Sequence, residues 1–458
     1  MYYRHLLFVV IAFGSLVVCP SCNDRWLDAK PDKSLVVPKT IKDYQALLDN
    51  SGELFNIAQS SGLAEISSGD FYISNASWAA LFLKQEKSAY IWGPNESFYE
   101  GEPSADWENG YKRILNANLI LEGIEKIKPA ETDRQAWDNV KGSALFFRSF
   151  DFFNLAQEYC KTYGAASAKT DLGLPLRLEY NVNIRVRRSS LQETYGQILG
   201  DLKLAGHLLD IKPLYKTRPS KQAVFALFAR TYLNMENYDQ AALYADSALQ
   251  IQPELMDYAT LNANAAYPAM LFNQEVIFHS SFSYGIFNAS RLIVEPALFA
   301  AYAANDYRRS VFFKAVASGG VTFKGNYSGD KSLFGGLATD ELYLIRAECK
   351  ARKGEVIAAL ADLNYLLRKR WKGGYEDVVT RDQYTALSII LQERRKELAF
   401  RGLRWGDLRR LNKDSRFTVT ITRILNDQVY KLLPGDRRYI LPIDEQEIRL
   451  GEIQQNER

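Results

Sequence analysis

Two segments of the chain share one register of small residues, and that register demands paired helices. In "AVFALFARTYLNMENYDQAALYADSALQIQPE", Phe225, Phe228, Ala229 and Tyr232 recur at helical steps, followed by Ala241, Ala245, Ala248 and Pro253. Alanines at a crossing let two antiparallel helix backbones approach closely, and the aromatics fill the space beside them. In "ELYLIRAECKARKGEVIAALADLNYLL", Ala347 and Ala359 keep the twelve-residue separation of Ala229 and Ala241, with Lys350 in the place of Tyr232.

These are the positions at which a tetratricopeptide repeat sets its large and small packing residues, although any helical hairpin can carry one copy. The rest of the chain agrees with an all-α class. "DWENGYKRILNANLILEGIEKI" and "NVKGSALFFRSFDFFNLAQEYC" place apolar residues at three- and four-residue steps, the mark of amphipathic helices. "SLQETYGQILGDLKLAGHLL" opens on Ser190 with Glu193 three residues later, a capping box. Two stretches break the pattern. Residues 66–105 and 254–338 are rich in Tyr, Phe, Asn, Ser and Gly, and "EVIFHSSFSYG" and "VTFKGNYSGD" read as short strands or loops. The expected architecture is one domain over residues 22–458. Its tetratricopeptide-like helical-pair scaffold spans about residues 22–65, 106–253 and 339–458, and the two long irregular inserts carry short strands. Inserts on a rigid helical frame are where binding sites are usually built.

Residue patterns that carry chemistry are sparse. Histidine occurs three times, without an HxH or HExxH spacing, and GxSxG, GxxxxGK[ST] and GxGxxG are absent. His207 and His279 read as structural, Cys160 and Cys349 as small buried hydrophobes. Glu393 and Glu397 lie four apart on one helix face but alternate with Arg394 and Arg395, the pattern of a solvated or salt-bridged face. Nothing calls for catalysis, a metal or a cofactor. A net charge of +3 from 57 basic and 54 acidic residues lacks the basic surplus of a nucleic-acid binder. Aromatics at 13% leave rings to spare for a binding surface.

The N-terminus reads as an address. Arg4 and His5 precede an apolar run over residues 6–18, too short to span a bilayer and the length of a signal-peptide core. It ends in Cys19-Pro20-Ser21-Cys22, where Ser21-Cys22 resembles a bacterial lipobox. The expectation is a signal peptide over residues 1–21 and lipidation at Cys22. Cys19 is the weaker choice because bulky Val18 would precede the cut, and a CxxC metal or redox pair does not suit this context.

An ordered set of segments carries a resemblance: "WLDAKPDKSLVVPKTIKDYQALLDN", "YKRILNANLILEGI", "TDLGLPLRL", "TRPSKQAVFALFARTYLNMENYDQAALYADSAL", "ELYLIRAE", "ERRKELAFRGLRWGDLRR" and "YILPIDEQEI". Together they resemble the RagB/SusD family of nutrient-binding outer-membrane lipoproteins of Bacteroidetes, from residue 24 to the C-terminus. The resemblance implies a lipid-anchored protein on the outer membrane, facing outward. It would sit on a SusC-like TonB-dependent barrel transporter and hand it an oligosaccharide or a peptide, without enzymatic activity or cofactor. In the "ERRKELAFRGLRWGDLRR" segment, Leu398, Phe400, Leu403, Trp405 and Leu408 are expected to pack inward while arginines and acids pair at the surface.

A sugar ring offers an apolar C–H face that stacks on an aromatic, while its hydroxyls need donors and acceptors. Insert residues of those types are the candidates. Trp78 leads, with Tyr72, Trp92, Tyr99, Tyr284 and Tyr327 as further rings and Asp70, Asn75 and Asn95 as polar neighbours; Trp92, like Trp107, sits beside a segment resembling the family framework and reads as structural. Two other readings stay open: a tetratricopeptide-type protein-interaction scaffold, and a glycan hydrolase with two carboxylates facing one cleft.

Overall fold

The computed structural model describes residues 38–317 and 319–458, and from Thr40 onward the chain forms one unit. Cys22 and the signal segment 1–21 lie outside the described residues. The principal helices are α1 (Ile41–Leu48), α2 (Gly62–Ser67), α3 (Ala105–Ile124), α4 (Arg134–Tyr159), α5 (Leu191–Leu208), α6 (Lys221–Asn234), α7 (Tyr238–Ile251), α8 (Thr339–Arg352), α9 (Val356–Leu367), α10 (Gln383–Glu397) and α11 (Arg404–Leu411). The capping box at Ser190 and Glu193 is formed, at the start of α5.

From α3 to α9 each helix packs on the one before it, so α8 continues the stack from α7 although residues 252–338 intervene. The alanine register explains α6 and α7. Ala229, Ala241, Ala245 and Ala248 are fully buried at the crossing, and Phe228, Tyr232 and Tyr244 form a parallel aromatic stack beside it, with Phe228 and Tyr244 4.3 Å apart. The same device returns in α8 and α9, where Ala347 and Ala359 are fully buried.

The inserts are more ordered than an irregular loop. The first contains helices Asn75–Ala79 and Lys84–Ile91; the second contains Pro296–Ala300 and Arg308–Val311. Two-stranded antiparallel ladders tie them down. Phe71–Tyr72 pairs with Ile293–Val294, joining the two inserts directly. Val276–Phe278 pairs with Leu337–Ala338 and Ser281–Phe282 with Leu333–Phe334, which closes the second insert on itself. A later hairpin, Ile421–Leu425 with Gln428–Leu432, turns on Asn426 and Asp427, both with positive φ as a two-residue turn of the primed kind requires.

Ionic contacts hold the inserts to α10, and they correct the expectation of a surface charge run. Asp70 of the first insert accepts from Arg395 at 2.7 Å. In the second, Arg308 donates to Asp306, to Glu393 at 2.7 Å and to Glu397 at 2.8 Å. Arg370 bridges Glu397 and Glu275, both at 2.7 Å, and lies over the Tyr258 ring. Arg308, Arg370, Glu275 and Glu397 are all 0% exposed. Arg394 likewise pairs with Asp407, and Arg410 with Glu348, inside the protein. The alternation of signs looked like a solvated face because charge pattern does not report depth; a fully paired guanidinium can be buried where an unpaired one cannot. Leu398, Phe400, Trp405 and Leu408 pack inward as expected, whereas Leu403 is half-buried. Cys160 and Cys349 are both buried and free, whereas His207 is exposed.

Candidate ligand-binding site

The inserts meet at more than their shared ladder. The backbone N–H of Ile286, in the second insert, donates to Glu86 Oε1 of the first at 2.7 Å. Beside this contact opens a cleft of about 500 Å³. Leu83 lines it from the first insert and Ala105 from the start of α3, while Tyr267, Tyr284, Asn288, Asn326 and Lys331 line it from the second. A cleft of this size with aromatic walls and a few polar groups fits a small organic ligand.

Tyr284 forms one wall and is anchored from behind. Its hydroxyl donates to Asp106 Oδ1 at 2.8 Å, and its ring lies so close to Gly62 that a Cβ there would meet it at 2.1 Å. Glycine at position 62 is thus what lets the ring seat against α2. Burial, with Asp106 adding, pushes the Tyr284 hydroxyl pKa up. The hydroxyl is spent on the protein, and the ring is the part available to a ligand. Behind it Asp106 and Glu158 form a buried carboxyl pair, each raised above the ordinary carboxylate range chiefly by burial. They accept the backbone N–H groups of Leu63 and Ala64 at 2.9 and 3.0 Å and fix the start of α2.

The polar lining divides by commitment. Asn326 donates to Asp330 O and accepts from Ser328 N, so its amide builds a turn. Asn288 is exposed and accepts from Ser290, leaving its Nδ2 without a partner among the described residues. Tyr267 is 37% exposed. Lys331 is exposed as well.

Of the residues singled out by sequence, only Tyr284 lines this cleft. Four others are corrected by burial. Asp70 is paired with Arg395, and Trp92 is a core ring whose Nε1 donates to Ser67 O at 3.1 Å. Tyr99 donates to Pro442 O at 2.8 Å, and Tyr327 sits inside the ionic cluster with its hydroxyl on Glu275 and 2.8 Å from that of Tyr258. Insert aromatics were read as surplus for a surface, but an insert must also build its own core, and these rings do so. Asn95 donates to Asn456 O at 3.3 Å and stitches the C-terminus. Tyr72 (39% exposed) faces out from the inter-insert ladder, and Asn75 is exposed and accepts from Asn426 N at 3.0 Å. Trp78 is half-buried, with Nε1 donating to Lys87 O at 3.3 Å and the Lys87 ammonium 5.6 Å from the ring centre. Sequence reasoning missed Tyr267, Asn288 and Lys331. They share only the Tyr- and Asn-rich composition of residues 254–338, because short ladders rather than any periodicity bring them together.

Two other constellations bear on chemistry. Glu275, Asp340 and Glu397 bring carboxylate oxygens within 4.8 Å of one another, the spacing of a metal cluster. Arg370 holds Glu275 and Glu397, Arg308 also binds Glu397, and Arg401 binds Asp340 at 2.9 Å, so arginines already supply the compensating charge. A second cleft, about 740 Å³, runs between α3, the segment around residues 175–186 and the C-terminal helix Glu445–Gly451. Glu108 and Glu447 both line it, and burial, with Asp444 adding, raises the Glu447 carboxyl above its ordinary range. No helix of the described residues is long and apolar enough to cross a membrane.

Comparison with known proteins places this architecture. No curated protein matches the chain. Among solved structures, a SusD superfamily protein from Bacteroides vulgatus superposes with a TM-score of 0.73 at 21% identity, covering 92% of this chain and 99% of its own. A SusD superfamily protein from Bacteroides thetaiotaomicron gives 0.69 at 21% identity, covering 92% and 100%. A SusD-like carbohydrate binding protein from Bacteroides vulgatus gives 0.69 at 19% identity, covering 90% and 97%. These likenesses establish the fold. A family model described as starch-binding, associating with the outer membrane, matches residues 25–233, and the SusD family model matches residues 339–457. With the two family models together matching residues 25–233 and 339–457, the chain belongs to the SusD/RagB family.

Proposed function

We propose that this protein is a cell-surface nutrient-binding lipoprotein of the outer membrane, tethered through Cys22, which captures an oligosaccharide and delivers it to a SusC-like TonB-dependent barrel transporter. The observation that carries the reading is the cleft at the meeting of the two inserts, with tyrosine faces, one free amide nitrogen and no lining carboxylate. Such a surface stacks on sugar C–H faces and leaves hydroxyls to amides and water. A peptide would find few backbone-directed partners there. Membership of the family and the carbohydrate-binding relative from Bacteroides vulgatus support the sugar.

The test is calorimetric titration with oligosaccharides and peptides, followed by mutation. Tyr267→Ala should leave thermal unfolding unchanged and weaken binding by about 1–3 kcal/mol, the usual loss at a contact near a binding centre. Trp78→Ala asks whether that ring is a second platform outside the cleft; equal affinity with a lowered melting temperature would make it structural. Binding indifferent to Tyr267 would defeat the cleft assignment. For the tether, radioactive fatty acid should label the wild-type protein and not Cys22→Ala, and only the wild type should fractionate with outer membranes, since a free chain lacks the acyl groups that make attachment stable.

Glycan hydrolysis is the alternative with a specific observation behind it, the Glu108 and Glu447 carboxylates in the second cleft. Release of reducing ends by wild type and not by Glu447→Gln would support it; no release is expected. A pure interaction scaffold would bind neither class of ligand.

A further inference from the structure

We infer that the cleft between the inserts selects an oligosaccharide bearing negative charge, a uronate carboxylate or a sulfate ester, and that Lys331 reads that charge. This rests on the reading of the cleft as the ligand site.

Apart from its tyrosines, the residues lining the cleft include one ionisable side chain, Lys331, and no carboxylate. Lys331 is exposed, and its ammonium has no hydrogen-bond or ion-pair partner among the described residues. Neighbouring cations are committed. Lys324 donates to the carbonyl of Ala263, Lys84 pairs with Glu100 at 2.5 Å, and Arg308 is enclosed by three carboxylates. Arg291 does not line the cleft; it donates from Nη1 to Gly285 O at 2.9 Å, and Glu86 faces the same glycine and offsets it. Adjacent Asp330 accepts from Ser332 N and makes no ion pair with Lys331, so Lys331 is an unpaired positive charge beside rings that exclude water from one side, where an ion pair gains more than it does in open solvent. A neutral hydroxyl gains much less from an ammonium than an anion does. A peptide with a free ammonium terminus meets repulsion from Lys331, and no carboxylate lines the cleft to receive it.

The experiment uses the full chain in detergent, titrated with oligogalacturonate, with a sulfated galactan oligosaccharide and with neutral malto- and xylo-oligosaccharides. At least one anionic probe should bind, more weakly as sodium chloride is raised. In Lys331→Gln its affinity should fall about tenfold or more, the loss of one charge-assisted contact, while Lys331→Arg retains it. Carboxylate and sulfate are told apart by which anionic probe binds. Preference for a neutral probe, or anionic binding unchanged in Lys331→Gln, overturns the inference. Tyr267→Ala separates the two readings. If it abolishes neutral binding while Lys331→Gln does nothing, the cleft stands and the charge selection falls; if it changes no binding, both fall.

Discussion

The α6–α7 crossing and the junction between the second insert and α10 both have buried centres, yet they are held by opposite means. The pair is closed by alanines and a stack of rings. The junction is closed by Arg308 and Arg370, each satisfied by carboxylates from different segments. A helix of regular period presents a continuous apolar stripe, so packing alone can seat it. An insert of two- and three-residue strands has no such stripe, and directional pairing sets its position instead. The price is fragility: apolar packing loses energy in proportion to what is removed, whereas a buried ion cluster that loses one member leaves uncompensated charge.

The sharpest way to break the comparison is Arg370→Met. It leaves buried Glu275 without a guanidinium and Glu397 with Arg308 as its remaining one, and should cost about 3–5 kcal/mol, measured by urea unfolding. A loss well under 1 kcal/mol would mean the junction is held by its apolar contacts after all. Ala245→Leu in the pair forces three extra carbons into the crossing and should cost about 1–3 kcal/mol by the same measurement. Third comes pH. Glu65 in α2 is fully buried, and burial, with nearby Asp70 adding, pushes its carboxyl up to about 8. Its folded value lies above the unfolded one, so the native state holds the extra proton. Its contribution is fully present below about pH 4.5 and is lost as pH rises through about 8. Glu65→Gln keeps an acceptor for Gly402 N and removes the titration. Unfolding free energies from denaturant titrations at pH 5, 7 and 9 should decline more for wild type than for the variant, by roughly 1 kcal/mol or more; parallel curves would refute the shift. The smallest effect is expected at the cleft rim, where Lys331→Gln should move stability by less than about 0.5 kcal/mol, since an exposed side chain without a partner supports nothing.

The same contrast explains what could be read in advance. Ala229, Ala241, Ala347 and Ala359 announced two helical pairs, and the capping box at Ser190 announced the start of α5, because both are local rules of spacing. Composition sets residues 66–105 and 254–338 apart, but it does not say where their rings go. Trp92, Tyr99 and Tyr327 have the same chemistry as Tyr267, and nothing along the chain distinguishes a ring that fills a core from one that faces a cleft.

The sequence by itself determined the all-α class and the family to which the chain belongs. These follow from periodicity and from an ordered set of local segments. Only the tertiary structure decided which insert residues form the cleft and where the charges go. Tyr72 meets Ile293 and Glu86 meets Ile286 across some two hundred residues of chain, and Arg308, Arg370 and α10 converge from three segments. Depth and convergence are properties of long-range pairing, which residue spacing along one chain does not encode.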